Sequence, residues 1–214
     1  IRPDFGETRL DALQRHAFAY FLNETNAANG LVADRTQPGA PASIAAVGFA
    51  LAAYPVGIER GWMTRADAIE RTLALLRFFW TSPQGTAPDM TGYKGFYYHF
   101  LDMTTGRRAD LCELSTVDTS FLLGGMLAAT EYFNQDNEAE REIRTLADAL
   151  YRRVDWQWAC AGGATVTHGW KPESGFLPYR WEGYDEAMLL YALGLGSPTY
   201  PLPTESYAAW TATY

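Results

Sequence analysis

The sequence predicts an all-α protein of the α/α-toroid type, with small β-hairpins in its long loops. Three observations favour this fold class: helical periodicity dominates the chain, amphipathic segments alternate with segments that are apolar almost all round, and long connections alternate with short ones. If the apolar helices form an inner ring, all three long loops emerge at the N-terminal ends of those helices. Loops longer than roughly 12–15 residues are uncommon and usually functional, so we expect the active face at this end.

The predicted outer ring consists of three amphipathic helices. Thr8–Asn23 places its apolar side chains three and four residues apart. Thr64–Trp80 begins with a threonine that can cap a helix, and Asp67 follows at the position of a capping box. Asn137–Trp156 carries charged side chains along its solvent-facing side.

The predicted inner ring consists of segments that are apolar on nearly every side, which is typical of buried helices. These segments are Pro41–Gly57, Glu113–Phe133 and Tyr184–Leu195. A last short helix is predicted from Pro203 to the C-terminus. One hairpin is predicted within 92–106, with its turn at Met103-Thr-Thr-Gly106, and a second joins Thr165–His168 to Gly175–Tyr179 around Lys171-Pro-Glu-Ser-Gly175.

Composition excludes several classes of protein. The 214 residues carry a net charge of −8 without a basic patch, which argues against nucleic-acid binding. No apolar stretch reaches the roughly 20 residues that a membrane span needs. Cys112 and Cys160 are far apart, so neither a disulfide scaffold nor a zinc finger is expected. No metal or cofactor is expected, because no HExxH, Walker or dinucleotide motif occurs. The chain begins at Ile1 without an apolar leader, so we expect any signal peptide to have been removed.

Acids and aromatic residues concentrate near the three long loops. Aromatic residues make up 14% of the chain, and rings that stack on sugars beside carboxylates that bind hydroxyls are typical of a carbohydrate cleft. Core packing is the alternative role of these rings. The predicted substrate-binding residues are Asp34, Arg35, Tyr93, Phe96, Tyr97, His99, Trp170, Trp181, Tyr184 and Asp185. Arg35 could equally anchor its loop through a salt bridge, and the roles of His99 and His168 stay open.

Glycoside cleavage needs one carboxylic acid that protonates the leaving oxygen and a second carboxylate that acts as base or nucleophile. Glu182, between two aromatic residues, is the predicted general acid. Glu186 is its alternate and shares a helical face with it if the helix extends back that far. Asp110, Glu113 and Asp118 are predicted to bind sugar or to position water. The alternative role of all these acids is to cap a helix or to complement its dipole.

Three segments resemble the bacterial glucoamylase-like domain family, which includes endo-β-1,2-glucanases and a domain of cyclic β-1,2-glucan synthases. They are GLVADR from Gly30, ELSTVDT from Glu113 and WEGYDEAMLLYALGLGSPTYP from Trp181. The resemblance covers nearly the whole chain. It implies an (α/α)6 toroid, β-glucan substrates, acid catalysis by a glutamate, and export to the periplasm or the exterior.

The family's complete domain has six helix pairs, whereas we count about three in this sequence. We therefore expect one glucoamylase-like domain over 1–214 that corresponds to the N-terminal half of a toroid, with self-association or association with the other half. The predicted function is a glycoside hydrolase acting on β-glucan, with β-1,2 linkage and inversion favoured. Two alternatives stay open: a non-catalytic carbohydrate-binding module or inactive fragment, and a polysaccharide lyase with a tyrosine or histidine base.

Overall fold

The computed structural model describes residues 8–213, and this part of the chain is mostly helical. Its helices are α1 (Arg9–Asn23), α2 (Ile44–Glu59), α3 (Arg65–Thr81), α4 (Thr116–Tyr132), α5 (Glu138–Arg153), α6 (Trp156–Ala159), α7 (Met188–Leu195) and α8 (Ser206–Thr211). Its strands are β1 (Ala42–Ser43), β2 (Gly92–Tyr93), β3 (Phe96–Tyr98), β4 (Phe100–Leu101), β5 (Leu114–Ser115), β6 (Gly169–Lys171) and β7 (Gly175–Phe176). Among the described residues, no helix is long and apolar enough to cross a membrane.

The predicted alternation of inner and outer helices is confirmed. The apolar helices α2, α4 and α7 pack side by side, with α4 in the middle. The amphipathic helix α1 packs on α2, and α3 and α5 pack on each other and on the inner helices. The apolar helices α2, α4 and α7 therefore form an inner layer, and the amphipathic helices α1, α3 and α5 form an outer layer that packs on it.

Most helices begin at a side chain that accepts from a free backbone N–H of the first turn. Thr8 and Thr64 cap α1 and α3, Ser43 and Ser115 cap α2 and α4, and Asn137 caps α5. The predicted starts of the outer helices are therefore correct to within one or two residues.

The predicted starts of all three inner helices are wrong, and so is the predicted end of the third outer helix. The segment before Ile44 is extended, because β1 pairs with β4, and the segment before Thr116 is extended, because β5 lies inside a sheet. The third inner helix begins at Met188 and not at Tyr184. Gly183 and Tyr184 have φ of 93° and 51°, which a right-handed helix does not accommodate. In the outer ring, α5 ends at Arg153, and Asp155 caps the separate helix α6.

A five-stranded antiparallel sheet lies beside the N-terminal ends of the inner helices, in the order β2-β3-β5-β6-β7. The first hairpin, β2–β3, turns at Lys94-Gly95 instead of the predicted Met103–Gly106. Both turn residues have positive φ, 56° and 83°, as the tightest hairpin turns require. The second hairpin, β6–β7, turns within the predicted Lys171–Gly175 segment.

Candidate active site

The sheet brings His99 and Glu113 together as cross-strand neighbours. The register of β3 with β5 pairs Tyr97 with Ser115. Two residues beyond this pair on each strand, the backbone N–H of His99 donates to the carbonyl of Glu113 at 3.0 Å. The side chains meet as well, because His99 Nδ1 lies 2.9 Å from Glu113 Oε1. Two residues that are distant in sequence thus form one polar pair at the rim of the sheet.

Asp118 joins this pair from the first turn of α4. Its carboxylate Oδ2 lies 3.7 Å from His99 Nε2, and its side chain is 15% exposed. Ser115, the residue that caps α4, accepts from the Asp118 backbone N–H at 3.2 Å and donates its hydroxyl to the Asp118 carboxylate. Asp118 therefore takes part in the helix cap and also faces the imidazole between the two acids.

The electrostatics of this group favour an ionised Glu113 beside a protonated imidazole. Burial disfavours the imidazolium of His99, but the hydrogen bond to Glu113 and the charges of Asp118, Glu113 and Asp34 outweigh it and raise the His99 pKa. The hydrogen bond from His99 lowers the pKa of Glu113 against the cost of burial, and the charge of Lys171 acts in the same direction. Asp34, from the first long loop, is thus electrostatically part of the group.

Gly169 of β6 makes room for the Glu113 side chain. A Cβ at position 169 would lie 3.1 Å from Glu113 Cγ and would overlap the carbonyl oxygen of Leu114. Because side chains alternate along a strand, Lys171 emerges on the same face as position 169. The second hairpin therefore supplies both the space and a positive charge for Glu113.

Glu182 enters from the third long loop, next to Trp181. The indole N–H of Trp181 donates to Thr116 Oγ1 at 3.0 Å, and its ring stacks on His168 with centroids 3.8 Å apart. Glu182 itself is exposed, and its Oε1 accepts from Thr165 Oγ1 at 2.8 Å. Trp181, the residue before Glu182, is thus anchored at the first turn of α4, which also carries Asp118.

The segment after Glu182 presents an aromatic ring to solvent. Tyr184 is 51% exposed and stacks on Trp210 of α8, with centroids 5.1 Å apart and planes 16° apart. Asp185 Oδ1 accepts from the Trp210 indole N–H at 3.0 Å and from the Ala187 backbone N–H at 3.1 Å. Glu186 is exposed and precedes α7, so the predicted helical face shared by Glu182 and Glu186 does not form.

Several predicted site residues lie elsewhere. Phe96 and Tyr97 are 0% and 1% exposed and belong to the core, where the Tyr97 hydroxyl donates to the Phe79 carbonyl. This corrects their predicted contact with substrate. Tyr93 and Trp170 are half-buried and pack on each other, 5.3 Å apart, within an aromatic cluster completed by Trp158 and Phe176. Trp170 alternates with Gly169 and Lys171, so this cluster occupies the sheet face opposite Glu113.

Asp110 is exposed in a turn with φ of 53°, three residues before Glu113. Arg35 makes a 2.8 Å ion pair with Asp34 and a hydrogen bond to Gln37, which is the loop-anchoring arrangement left open for it. Within residues 8–213, no group of three or more His, Cys, Asp or Glu side chains is arranged so that it could hold a metal ion.

Sequence reasoning missed four residues that build the site: Thr165, Gly169, Lys171 and Trp210. The strand alternation of the second hairpin could have indicated Gly169 and Lys171, because it places both on one face. Thr165 and Trp210 act through long-range contacts, and no local pattern indicates those.

The chain is similar to several known proteins. The family model Glycoamylase, "Putative glucoamylase", matches residues 178–214, which include Glu182, Tyr184 and Trp210. A curated relative, the exo-β-1,2-glucooligosaccharide sophorohydrolase (non-reducing end) of Parabacteroides distasonis, is 30% identical over 98% of this chain and 29% of its own length. The predicted resemblance to the glucoamylase-like family is confirmed.

Solved structures show the fold. The β-1,2-glucanase from Parabacteroides distasonis matches with a TM-score of 0.84 and 29% identity, over 95% of this chain and 29% of that chain. The endo-β-1,2-glucanase from Chitinophaga pinensis, at 24% identity, matches with a TM-score of 0.82 over 95% of this chain and 50% of that one. The predicted fold class, about half of an (α/α)6 toroid with small hairpins in its loops, is confirmed. This chain spans half or less of the length of these relatives.

Proposed function

We propose that the long-loop face hydrolyses β-glucan, with β-1,2 linkages favoured, by general acid/base catalysis with paired carboxylates. The observation that carries the proposal is the arrangement around the start of α4. Glu113 and Asp118 flank His99 there, and Trp181, the residue before Glu182, donates to Thr116 of the same turn. Relatives named as a β-1,2-glucanase and a β-1,2-glucooligosaccharide sophorohydrolase support this substrate class.

Glu182 is the proposed general acid. It stands in an exposed position between Trp181 and Tyr184, and the hydroxyl of Thr165 fixes its carboxyl group. Protonation of a glycosidic oxygen requires an acid that a bulky substrate can reach, and Glu182 is more exposed than either Glu113 or Asp118. Glu186 is the alternate donor.

Glu113 and Asp118 are the proposed base side of the site. Held as anions, they can activate and orient a water molecule on the opposite face of the sugar from Glu182. A separation of about 6.5–9.5 Å between acid and base carboxyl groups leaves room for this water and gives inversion. Tyr184 supplies a ring on which a sugar can stack, and Asp34 and Asp110 supply acceptors for sugar hydroxyls.

Hydrolysis is tested by incubating this chain with β-1,2-glucan and measuring new reducing ends, with β-1,3-glucan and α-1,4-glucan as matched substrates. Reducing ends are expected from the β-1,2 polymer. The Glu182→Gln variant should lose roughly 10²–10⁴-fold in rate with unchanged circular dichroism, because it removes the proton donor alone. Glu70→Gln, which removes an exposed acid of α3, is the control and should keep full activity.

Other outcomes favour the alternatives. Binding of the glucan without new reducing ends favours a carbohydrate-binding module or an inactive fragment. Unsaturated products that absorb ultraviolet light favour a lyase. Near-normal turnover by Glu182→Gln would overturn the assignment of the acid. The proposed function would be contradicted if the chain neither bound nor hydrolysed any glucan.

We also propose that the inner helices pack against further inner helices, as supplied by the longer relatives. Three large apolar side chains of the inner helices are exposed: Phe49 (51%) and Val56 (40%) of α2, and Met188 (56%) of α7. The ring of Phe49 also contacts the ring of Phe121 of α4, with centroids 5.6 Å apart. Apolar patches of this kind mark interaction surfaces. Without such helices the chain should self-associate through this surface.

Size-exclusion chromatography with light scattering tests the apolar surface. The chain should elute as dimers or larger species, and the double variant Phe49→Gln/Met188→Gln should shift towards monomer. Tyr200→Gln, which removes an equally exposed ring outside the inner helices, should leave the elution unchanged. A stable monomer at high concentration would count against the proposal.

For location, we propose the periplasm or the exterior, since a polymeric β-glucan is met there. Cell fractionation of the native bacterium with an antibody against the chain tests this, and recovery from the cytoplasm would contradict it.

A further inference from the structure

We infer that His99 is a positioning residue of this site. Its imidazole lies between the carboxylates of Glu113 and Asp118 and keeps Glu113 anionic, so that Glu113 serves as base and the proton must come from Glu182. The inference rests on the proposed hydrolysis for its catalytic meaning. Its structural content, a charged imidazole held between two acids, is independent of that proposal.

The position of His99 is fixed from several sides. Its backbone N–H donates to the Glu113 carbonyl at 3.0 Å, and its carbonyl accepts from the Ile44 N–H at the start of α2 at 3.2 Å. Its ring lies flat on Phe100, with centroids 3.9 Å apart and planes 14° apart. The backbone of His99 is therefore fixed by the sheet, and rotation of its imidazole away from the acids would break the stack on Phe100.

The two contacts of the ring differ in kind. The Nδ1–Oε1 distance of 2.9 Å to Glu113 is a hydrogen bond, whereas the 3.7 Å from Nε2 to Asp118 Oδ2 is an electrostatic contact beyond hydrogen-bond range. A neutral imidazole carries only one N–H and cannot face two carboxylates with a donor at each nitrogen. The protonated ring donates to Glu113 and directs its second N–H and its charge towards Asp118.

Every charged group that faces His99 favours its protonated form. Glu113 faces it from the residue before β5, Asp118 from α4 and Asp34 from the first long loop. Lys171 of β6 acts on Glu113. Three anions thus surround one imidazole, and without its charge Glu113 and Asp118 would repel each other.

A structural role would be satisfied by any side chain that fills this space and donates to Glu113. The positioning role requires the charge as well. In the wild type this charge keeps Glu113 ionised at lower pH than usual, so its removal should move the acid limb of the pH–rate profile to higher pH. Glutamine at position 99 keeps a donor but carries no charge, and therefore separates the two roles.

The first experiment does not depend on activity. Proton NMR follows the histidine ring signals through a pH titration of the chain, and the His16→Gln and His168→Gln variants assign the signals by elimination. The His99 midpoint is expected above the ordinary histidine value of about 6.5, and the Glu113→Gln variant should lower it. A midpoint at or below the ordinary value, or one that Glu113→Gln leaves unchanged, would overturn the inference.

The second experiment measures the pH profile of kcat/KM on β-1,2-glucan. His99→Gln should lower kcat/KM on the order of ten-fold and move the acid limb to higher pH, whereas His16→Gln, on the exposed side of α1, should do neither. A uniform loss with an unmoved limb would reduce His99 to a structural role. If the wild-type chain hydrolyses nothing, the proposed function fails, and the NMR titration still decides the state of His99.

Discussion

Gly48 of α2 and Gly125 of α4 lie in direct contact, so that a Cβ at position 125 would overlap the backbone of residue 48. A Cβ at position 48 would likewise overlap the backbone of α4 at Phe121 and Leu122. The two inner helices therefore approach more closely than side chains would permit. This approach sets the spacing between the starts of α2 and α4, where the first and second long loops enter the site.

Replacement of either glycine by alanine is expected to separate the helices. Gly125→Ala should destabilise the fold by roughly 1–3 kcal/mol or more, because the clash is with backbone and outweighs the gain of about 1 kcal/mol in helix propensity. Gly124→Ala is the matched control, since its Cβ would meet the tip of Leu189 at 2.8 Å, and that side chain can move. Urea unfolding measures the free energy of unfolding of the wild type, Gly125→Ala and Gly124→Ala. Equal stabilities of the two alanine variants would contradict the backbone clash.

Arg65 of α3 and Glu140 of α5 form a buried ion pair that joins two outer helices. The guanidinium donates to both carboxylate oxygens at 2.9 Å, and the Glu140 side chain is fully buried. The hydrogen bond from Arg65 outweighs the cost of burial and, with a further one from the Gln135 backbone, lowers the pKa of Glu140 to about 2.

This ion pair predicts part of the acid sensitivity of the fold. Because the folded pKa is lower than the ordinary value of about 4.3, the ionised carboxylate stabilises the fold above that pH and the stabilisation is lost as the pH falls towards 2. Its size at neutral pH is on the order of 3 kcal/mol. The difference in unfolding free energy between wild type and Glu140→Gln should therefore shrink between pH 4 and pH 2.

The exposed Glu138 of the same helix provides the control for this measurement. Glu138→Gln removes a charge from the first turn of α5 and should cost about 0.3–1 kcal/mol through the helix dipole. A pH-independent difference for Glu140→Gln would show that the pair contributes no charge-linked stability.

Arg108 fastens the loop that leads into Glu113. Its side chain is 1% exposed, lies over the Tyr98 ring at 4.7 Å, and donates to Glu173 Oε1 and Oε2 at 2.7 and 3.1 Å and to the Cys112 carbonyl at 2.6 Å. The second hairpin is thus tied to the segment before Glu113 by one guanidinium.

Lysine cannot reproduce this planar set of donors, although it keeps the charge. Arg108→Lys is expected to cost roughly 1.5–3 kcal/mol, because one ammonium group cannot donate to Glu173 and to the Cys112 carbonyl as the guanidinium does, and to lower glucan turnover by releasing Glu113. Arg107→Lys, at the more exposed neighbouring position, should change neither quantity by much. Urea unfolding and reducing-end release measure the two effects. Wild-type turnover by Arg108→Lys would exclude a role for Arg108 in placing Glu113.

The sequence predicts those elements that a local pattern specifies. The helices α1 and α3 combine a capping threonine with an apolar stripe, and both signals are local. The strands β1 and β5 are two residues long, too short for any periodicity, and they exist because partners from other loops pair with them. The start of α7 was misplaced because Tyr184 takes a left-handed conformation beside Trp210, a contact between distant residues.

The same distinction applies to the site. Glu113, Asp118 and His99 could be chosen by residue type and loop position, but their meeting depends on the β3–β5 register, which no local pattern specifies. Aromatic type alone could not separate Tyr184 from Phe96 and Tyr97. Burial separates them: Phe96 and Tyr97 are buried on opposite faces of β3, whereas Tyr184 lies outside the sheet and is 51% exposed.

Trp210 holds the segment that follows Glu182. It is fully buried, lies between Tyr184 and Tyr191, with centroids at 5.1 and 4.8 Å, and donates its indole N–H to Asp185 at 3.0 Å. Trp210→Ala should cost roughly 3–5 kcal/mol, since it removes a large buried ring. Trp210→Phe keeps an aromatic ring and loses the N–H, so about 1–3 kcal/mol is expected for the unsatisfied Asp185 acceptor.

The two variants should also differ in sugar binding. If Tyr184 is a stacking surface, Trp210→Ala removes its support and should weaken the binding of a β-1,2-linked glucotriose in calorimetry, whereas Trp210→Phe should bind more nearly as the wild type does. Tyr207→Phe, which removes only a hydroxyl from a half-exposed ring of the same helix, is the control for both measurements. Unchanged affinity in a folded Trp210→Ala protein would show that Tyr184 needs no support from α8. Equal unfolding free energies for Trp210→Phe and Tyr207→Phe would show that the indole–Asp185 hydrogen bond does not stabilise the fold.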